Sequence, residues 1–207
     1  MNDPEGLPPL RAGELDPDPW VVFREWLSEG EGIGLREPHA VTLATADSSG
    51  RPSARMVLVR RMDDAGFQFF TNYDSRKGRE LQKNPQASML YYWDALQRQV
   101  RIEGTVEKLT AEESDAYFMA RQRGSQISAW TSRQSQVVSS REALQQQWQS
   151  TEARLHQQDV SRPPFWGGFR LRPAVFEFWQ GQPNRFHDRL QYSRVADGSW
   201  FLQRLAP

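Results

Sequence analysis

The sequence predicts a mainly β chain with flanking helices, an α+β fold centred on an antiparallel, barrel-like sheet. Three observations predict it. Residues 40–108 alternate short β-branched or apolar runs with Asp/Ser/Gly turns, the pattern of an antiparallel meander. Helix-start signals stand on either side of that block, at Asp18-Pro19, Thr110–Glu113 and Ser139–Glu142. After Pro163-Pro164 strand-like runs return and continue almost to the last residue.

Asp18 reads as an N-cap with Pro19 at the first helical position, where its missing N–H costs nothing. Trp20, Phe23, Trp26 and Leu27 recur at helical spacing, so residues 19–29 are expected to form an amphipathic helix ended by Gly30, Gly32 and Gly34. That glycine cluster follows a helix instead of a strand, which removes it as a dinucleotide fingerprint. Strands are expected over 40–46, 52–62 and 67–71, divided by turns at Asp47-Ser48-Ser49-Gly50 and Asp63-Asp64-Ala65-Gly66. A short helix over 75–84 is stopped by Asn84-Pro85, and strands follow over 87–93 and 97–108. Thr110 opens a helix carrying Tyr117 and Phe118. Ser139-Ser140 opens another that runs to about His156, its Gln-rich stretch read as a solvated face because Leu144, Trp148 and Leu155 keep an apolar rhythm. The last strands are expected over 169–179, 189–195 and 199–205, and no internal repeat is seen.

At 207 residues the simplest division is a flexible arm over 1–16 and a single domain over 17–207. Lys plus Arg and Asp plus Glu balance at 26 each, so no net field draws the chain to nucleic acid or an anionic membrane, and any basic site must be local. The absence of cysteine removes disulfides, thiolate metal sites and a cysteine nucleophile together, and is ordinary in a reducing compartment. The arm has no apolar stretch of signal-peptide type and no later run approaches a membrane span, so the cytoplasm is the expected location. With 8 Trp and 11 Phe, the core is expected to be aromatic, a composition that also suits stacking of a planar ligand.

Arg185, His187 and Arg189 stand at two-residue spacing after an aromatic run, which in an extended chain puts them on one face. Two guanidiniums and an imidazole side by side repel unless something anionic lies against them; alone, the pattern would also fit a solvated edge strand. A second basic group joins Arg55, Arg60 and Arg61 to Ser75-Arg76-Lys77 at a helix start, where free N–H groups, a hydroxyl and cations suit a phosphate. On composition alone that group reads as solvated surface. Tyr117, Arg121 and Ser125 recur every four residues, sharing one side if the helix continues or bends gently. A phenol, a guanidinium and a hydroxyl together suit a phosphate monoester, and a helix C-terminus with Arg near its dipole explains them equally well. No G-x-x-x-x-G-K-[ST], H-E-x-x-H or G-x-S-x-G occurs, and His39, His156 and His187 are too scattered to suggest a metal site. Several phosphate-like groups without a nucleophile or metal cluster point to chemistry borrowed from a cofactor.

Further segments run in register with these groups: Arg55–Arg60, Phe70-Thr71-Asn72, Ser75-Arg76-Lys77, Arg98-Gln99-Val100, Ser125–Trp130, Arg133-Gln134-Ser135, Phe165–Gly168, Phe178–Gly181 and Arg185–Arg189. Their order and spacing, from about residue 17 to the terminal Arg204-Leu205-Ala206-Pro207, resemble the pyridoxine/pyridoxamine 5′-phosphate oxidases. The resemblance implies an antiparallel split β-barrel homodimer with FMN at the subunit interface. It implies that Arg55, Met56, Val57, Leu58, Phe70, Thr71, Arg76, Lys77, Gln99, Gln134, Ser135, Trp179 and Arg189 contact FMN, the cations and Gln134-Ser135 mainly at its phosphate and ribityl end. It assigns Arg60, Tyr117, Arg121 and Ser125 to the substrate phosphate, and Arg185 and His187 to the pyridine ring as the catalytic pair. The implied reaction moves a hydride equivalent from C4′ of pyridoxine or pyridoxamine 5′-phosphate to flavin N5, giving pyridoxal 5′-phosphate, and dioxygen then reoxidises the flavin to yield hydrogen peroxide.

Two departures stand out. Position 60 is Arg where the family usually has Lys, and a planar fork needs more room and different angles. The N-terminal arm is short and has no counterpart of the basic, tyrosine-containing segment that folds over substrate in some members. Two rivals remain at this point: a same-fold FMN oxidase acting on another substrate, of the phenazine-biosynthesis type, and a flavin- or haem-binding module without turnover. Tyr117, Arg121, Ser125, Arg185 and His187 favour the phosphorylated vitamer, because a non-phosphorylated substrate leaves those cations unpaired.

Overall fold

The computed structural model describes residues 7–156 and 158–207. Helix α1 (Pro19–Gly32) starts where the Asp18 side chain accepts a hydrogen bond from Trp20 N at 3.0 Å. It runs past the expected end: Gly30 is buried inside the helix, and the chain turns away only at Gly34, where φ is +75°. Trp20, Phe23, Trp26 and Leu27 face inward, as their spacing requires. Trp20 stacks on Phe67 at 4.7 Å between centroids, and Trp26 meets Phe178 edge-on at 5.2 Å.

Among the described residues nine strands form one antiparallel sheet: β1 (Ala40–Ala46), β2 (Pro52–Leu58), β3 (Arg61–Asp63), β4 (Gly66–Asn72), β5 (Gln86–Trp93), β6 (Arg98–Lys108), β7 (Trp166–Gln180), β8 (Asp188–Arg194) and β9 (Trp200–Arg204). The order is β2-β1-β5-β6-β7-β4-β3, with β8 and β9 continuing from β7. The single strand expected over 52–62 is two. Val59 N still donates to His39 O (3.1 Å) beside β1, but Arg60 N donates to Gln68 O (2.9 Å) in β4. A chain that changes partner must bend, and this bend links the two ends of the sheet order and curls the sheet into a half-barrel.

The split lies in β7. One edge pairs with β6 along its length, whereas the other is shared, β4 taking Trp166–Leu171 and β8 taking Val175–Gln180. Between them Pro173 has no N–H to give, and the β6 register shifts at Glu103/Gly104. A Cβ on Gly104 would stand 2.0 Å from Arg172 O, so only glycine permits the backbones to approach there.

Helices α2 (Arg76–Lys83), α3 (Ala111–Met119), α4 (Arg123–Thr131) and α5 (Arg141–Arg154) flank the sheet. Phe118, Ala129, Val160 and Trp166 make a small second core beneath α3 and α4. The Gln-rich α5 buries no residue and leans on α4, Trp148 Nε1 donating to Ser128 Oγ at 3.2 Å. The arm anticipated over 1–16 contacts the sheet from residue 7 onward. Leu10 is buried and its N donates to Asp188 Oδ2 (3.1 Å), Gln180 Nε2 donates to Pro8 O (2.8 Å), and Tyr192 Oη donates to Asp16 O (2.7 Å). Residues 1–6 of that arm lie outside the described residues.

Candidate functional site

A cavity of about 630 Å³ lies where β2, β4 and the start of β7 meet α2, α3 and α4. From β2 come Met56, Val57 and Leu58, and the bend that follows adds Arg60. Phe70 and Thr71 come from β4 and Lys77 from α2. Tyr117, Arg121, Gln122, Ser125, Gln134 and Trp166 close the other side. The helix that would align Tyr117, Arg121 and Ser125 by continuing or bending gently is instead interrupted. α3 ends at Met119, α4 begins at Arg123, and Gln126 Nε2 donates to Phe118 O (3.0 Å) across the break. The three side chains meet because the chain folds back there.

Phe70 stacks on Tyr117 (3.7 Å, 11°) and lies nearly parallel to Trp166 (5.8 Å, 15°). The Arg121 guanidinium sits over Trp166, 4.6 Å from the ring centroid. Its Nη1 is buried without a hydrogen-bond partner. Burial lowers the pKa of Arg121 and the charge of Arg60 lowers it further, against the opposing influence of Tyr117. A buried donor left unused costs about 1–3 kcal/mol, so this corner of the cavity is built for an acceptor, and its charge asks for an anion.

A second cationic corner surrounds the start of α2. Lys77 Nζ donates to Thr71 Oγ1 (3.0 Å) and Gln134 Oε1 (2.8 Å). Burial, followed by the charge of Arg55, pushes the Lys77 ammonium down to about 8. Arg76 N donates to Ser135 Oγ (3.2 Å), with Ser135 held at φ +72°. Ser75 is committed to capping α2, its Oγ accepting from Gly78 N. Arg55 does not line the cavity. Its guanidinium donates to Thr45 Oγ1 (2.6 Å), Leu43 O (3.1 Å) and Glu80 Oε2 (3.3 Å), while Arg76 Nε donates to Glu80 Oε1 (2.8 Å). Arg55 and Arg76 thus share a carboxylate, whereas Arg60, Lys77 and Arg121 form no ion pair among the described residues.

Gln99, Trp179, Arg185, His187 and Arg189 gather elsewhere, at the far end of β7. Gln99 pairs with Trp179 in the β6–β7 register and Trp179 with Arg189 in the β7–β8 register. Gly168, the partner of Phe70, is separated from Trp179 by roughly 35 Å of strand. The Arg-x-His-x-Arg run is not extended, which corrects the reading that its three side chains alternate onto one face. Pro183–Arg185 form a turn with Asn184 at φ +57° and Arg185 at φ +59°, and β8 begins only at Asp188. Gln182 N donates to His187 Nδ1 (3.0 Å), closing the loop and bringing the imidazole to 4.8 Å from the Trp179 ring. In the neutral ring the hydrogen is then on Nε2. Arg189 Nε donates to Glu177 Oε1 (2.9 Å), a buried carboxylate that also pairs with Arg101.

Residues 33–154 match the family model for pyridoxamine 5′-phosphate oxidase, and residues 166–207 match the model for the pyridoxine 5′-phosphate oxidase C-terminal dimerisation region. The chain belongs to the pyridoxamine 5′-phosphate oxidase family. It is 50% identical over 198 residues to the pyridoxine/pyridoxamine 5′-phosphate oxidase of Gloeothece citriformis, covering 96% of this chain and 92% of the relative. Identity to the enzyme of that name from Burkholderia thailandensis is 52% over 200 residues, 96% and 93% of the two chains. Among solved structures, PhzG from Burkholderia lata in complex with tetrahydrophenazine-1-carboxylic acid superposes with a TM-score of 0.88 at 34% identity, covering 94% and 95%. A pyridoxamine 5′-phosphate oxidase-related, FMN-binding protein from Nostoc punctiforme shares the fold, with a TM-score of 0.72 at 16% identity over 93% and 100% of the chains.

Within this oxidase family fold, the anticipated site residues divide into two groups on one chain. Sequence reasoning assigned no role to Gln122 or Trp166, both in the cavity wall, or to Glu80. Trp166 stands in the Phe165–Gly168 segment that carries the resemblance, and Glu80 lies one helical turn after Arg76; those were the available signals. Among the described residues no helix is long and apolar enough to cross a membrane.

Proposed function

We propose that this family member oxidises pyridoxine 5′-phosphate and pyridoxamine 5′-phosphate to pyridoxal 5′-phosphate, using FMN, with dioxygen as acceptor and hydrogen peroxide as product. One observation carries the reading: a single cavity has two cationic corners, Lys77 in one and Arg60 with Arg121 in the other, with no ion pair on any of the three among the described residues. A flavin mononucleotide and a phosphorylated vitamer together bring two phosphate monoesters. The fit is supported by the unpartnered Nη1 of Arg121, by the buried Lys77 ammonium and by the near-parallel rings of Phe70, Tyr117 and Trp166.

In this reading Arg55, Arg76, Lys77, Gln134 and Ser135 serve the phosphate and ribityl end of FMN, and Met56, Val57, Leu58, Phe70 and Thr71 line its path. Arg60, Tyr117, Arg121 and Ser125 hold the substrate phosphate. When bound, FMN supplies a two-electron acceptor that dioxygen regenerates. The chain's own part is positioning and charge: Arg185 and His187 fix the pyridine ring, and His187 Nε2 helps move the alcohol or amine proton of the substrate.

Gln99, Trp179, Arg185, His187 and Arg189 complete the site from a second copy. This part of the proposal is supported by the match of residues 166–207 to a dimerisation region and by the solvent exposure of Met56 (62%) and Phe186 (77%), one beside each group. Residues 17–207 act as one FMN-binding unit in the cytoplasm, in a homodimer. A second reading, oxidation of a non-phosphorylated substrate, is favoured by the likeness to PhzG.

The deciding experiment records the visible spectrum of the purified protein, then adds each phosphate in air and follows aldehyde and peroxide. Both products are expected. Bound FMN that neither phosphate reduces in the absence of oxygen would overturn the proposal and leave the second reading standing.

A further inference from the structure

Glu80 has no role in the function just described, yet it is the most heavily bonded carboxylate near the cavity. Its side chain is 6% exposed. Oε1 accepts from Arg76 Nε (2.8 Å), and Oε2 accepts from Thr45 Oγ1 (2.5 Å), Ser53 Oγ (2.6 Å) and Arg55 Nη2 (3.3 Å). Thr45 and Ser53 face each other in the β1–β2 register, so one rung of the sheet supplies both hydroxyls. Burial alone would raise the pKa of Glu80, but the bonds from Ser53, Thr45 and Arg76 and the charge of Arg55 bring it down to about 2. At neutral pH it is therefore a carboxylate.

The charges around it can be counted. Burial lowers the pKa of both Arg55 and Lys77, and the cations are close enough to add to it, Arg76 acting on Arg55 and Arg55 on Lys77. Three cations less one carboxylate leave a net of two positive charges. A phosphate monoester carries about −1.5 to −2 at pH 7, whereas a diester phosphate carries about −1 and a free alcohol none. Without Glu80, Arg76 would lose its acceptor and Arg55 would keep only the neutral acceptors Leu43 O, Thr45 Oγ1 and Ser53 Oγ, with no carboxylate left to offset the repulsion among the three cations. Ordering them would then fall to the ligand.

We propose that Glu80 is a positioning residue that holds Arg55 and Arg76 in place before the ligand arrives and trims the charge of this corner to that of a phosphate monoester dianion. The inference rests on reading the Lys77 corner as the FMN phosphate site, and it adds a source of selectivity for FMN over riboflavin.

The test uses the full chain freed of flavin, titrated with FMN and with riboflavin while flavin fluorescence is followed. Glu80→Gln should weaken FMN about tenfold, leave riboflavin unchanged and steepen the salt dependence of FMN binding, since the net charge rises by one. Glu80→Asp keeps the charge and should recover part of the loss. An equal loss for both flavins would reduce Glu80 to packing, and an unchanged FMN affinity would remove it from the site; either overturns the inference. If the wild-type chain binds riboflavin as tightly as FMN, the phosphate-site reading itself falls, and the inference with it. Should Glu80→Gln not fold, Ser53→Ala loosens the same carboxylate without changing charge: a selective loss of FMN of about threefold supports the proposal, and an unselective or absent loss overturns it.

Discussion

The two ends of β7 handle positive charge differently. At the Trp166 end, Arg60, Lys77 and Arg121 stand around a cavity with no ion pair among the described residues, and one guanidinium nitrogen is buried unbonded. At the Trp179 end, Arg189 is held by Glu177 (2.9 Å) and Arg204 by Asp188 (2.6 Å), and the loop between β7 and β8 presents Phe186 and Arg185 outward. A cation that keeps an unused donor in a cavity marks where a ligand supplies the acceptor. A cation tied to a buried carboxylate is already oriented, and becomes part of a site only when a second surface is brought to it. In the proposed dimer one end serves as a concave binding half and the other as a pre-set rim, each completing the other's copy.

The sharpest way to break this contrast is at the binding half. Arg121→Met removes the unbonded guanidinium and should lower kcat/KM for pyridoxine 5′-phosphate by about 10²- to 10³-fold while FMN stays bound. A normal kcat/KM would show that the free donor is not a phosphate site. At the rim, Arg185→Leu should cut turnover about 10²-fold, again with FMN retained, and wild-type turnover would remove Arg185 from the mechanism.

Mixing those two inactive variants tests whether the halves belong to different chains. In a mixed dimer one site collects both defects and the other neither, so random reassortment should restore about a quarter of wild-type activity. No recovery would place both halves in one chain.

The smallest effect concerns Lys77. Its folded pKa of about 8 lies below the ordinary lysine value of 10.5, so the buried charge costs stability at neutral pH, and that cost is relieved as pH rises from 8 towards 10.5. Lys77→Met should therefore stabilise the flavin-free chain at pH 7 by about 1–3 kcal/mol, seen as a higher Tm, while weakening FMN. Because an anion favours the charged form, FMN affinity in the wild type should decline as pH passes 8. A pH-independent affinity would separate Lys77 from the phosphate.

Much of this molecule is decided by residues a few positions apart, and those parts are legible in sequence. Asp18-Pro19 starts α1 where expected. The Thr110/Glu113 capping box closes in both directions, Thr110 Oγ1 accepting from Glu113 N (3.2 Å) and Glu113 Oε2 from Thr110 N (2.9 Å). The strands between Ala40 and Lys108 follow their turns, except for the break at Val59–Arg60. Local hydrogen bonds and side-chain periodicity suffice for such elements.

Other features depend on partners distant in sequence. Whether the chain bends at Val59–Arg60 depends on β1 and β4 offering separate acceptors, and nothing within 52–62 records that. The regular spacing of Tyr117, Arg121 and Ser125 indicated that they meet along a helix that continues or bends gently, whereas it is a break between two helices that brings them together. Arg185, His187 and Arg189, evenly spaced, would share one face in an extended chain, yet the bond from Gln182 N to His187 and two left-handed residues make a loop. Residue types and order by themselves determined the fold class, the family and the list of candidate side chains, because these follow from local propensity and from resemblance. Which cations stay free, which are held by Glu80 or Glu177, and how β7 separates the candidates into two halves were decided only by the tertiary structure, because pairing and burial depend on distances between side chains that sequence spacing does not set.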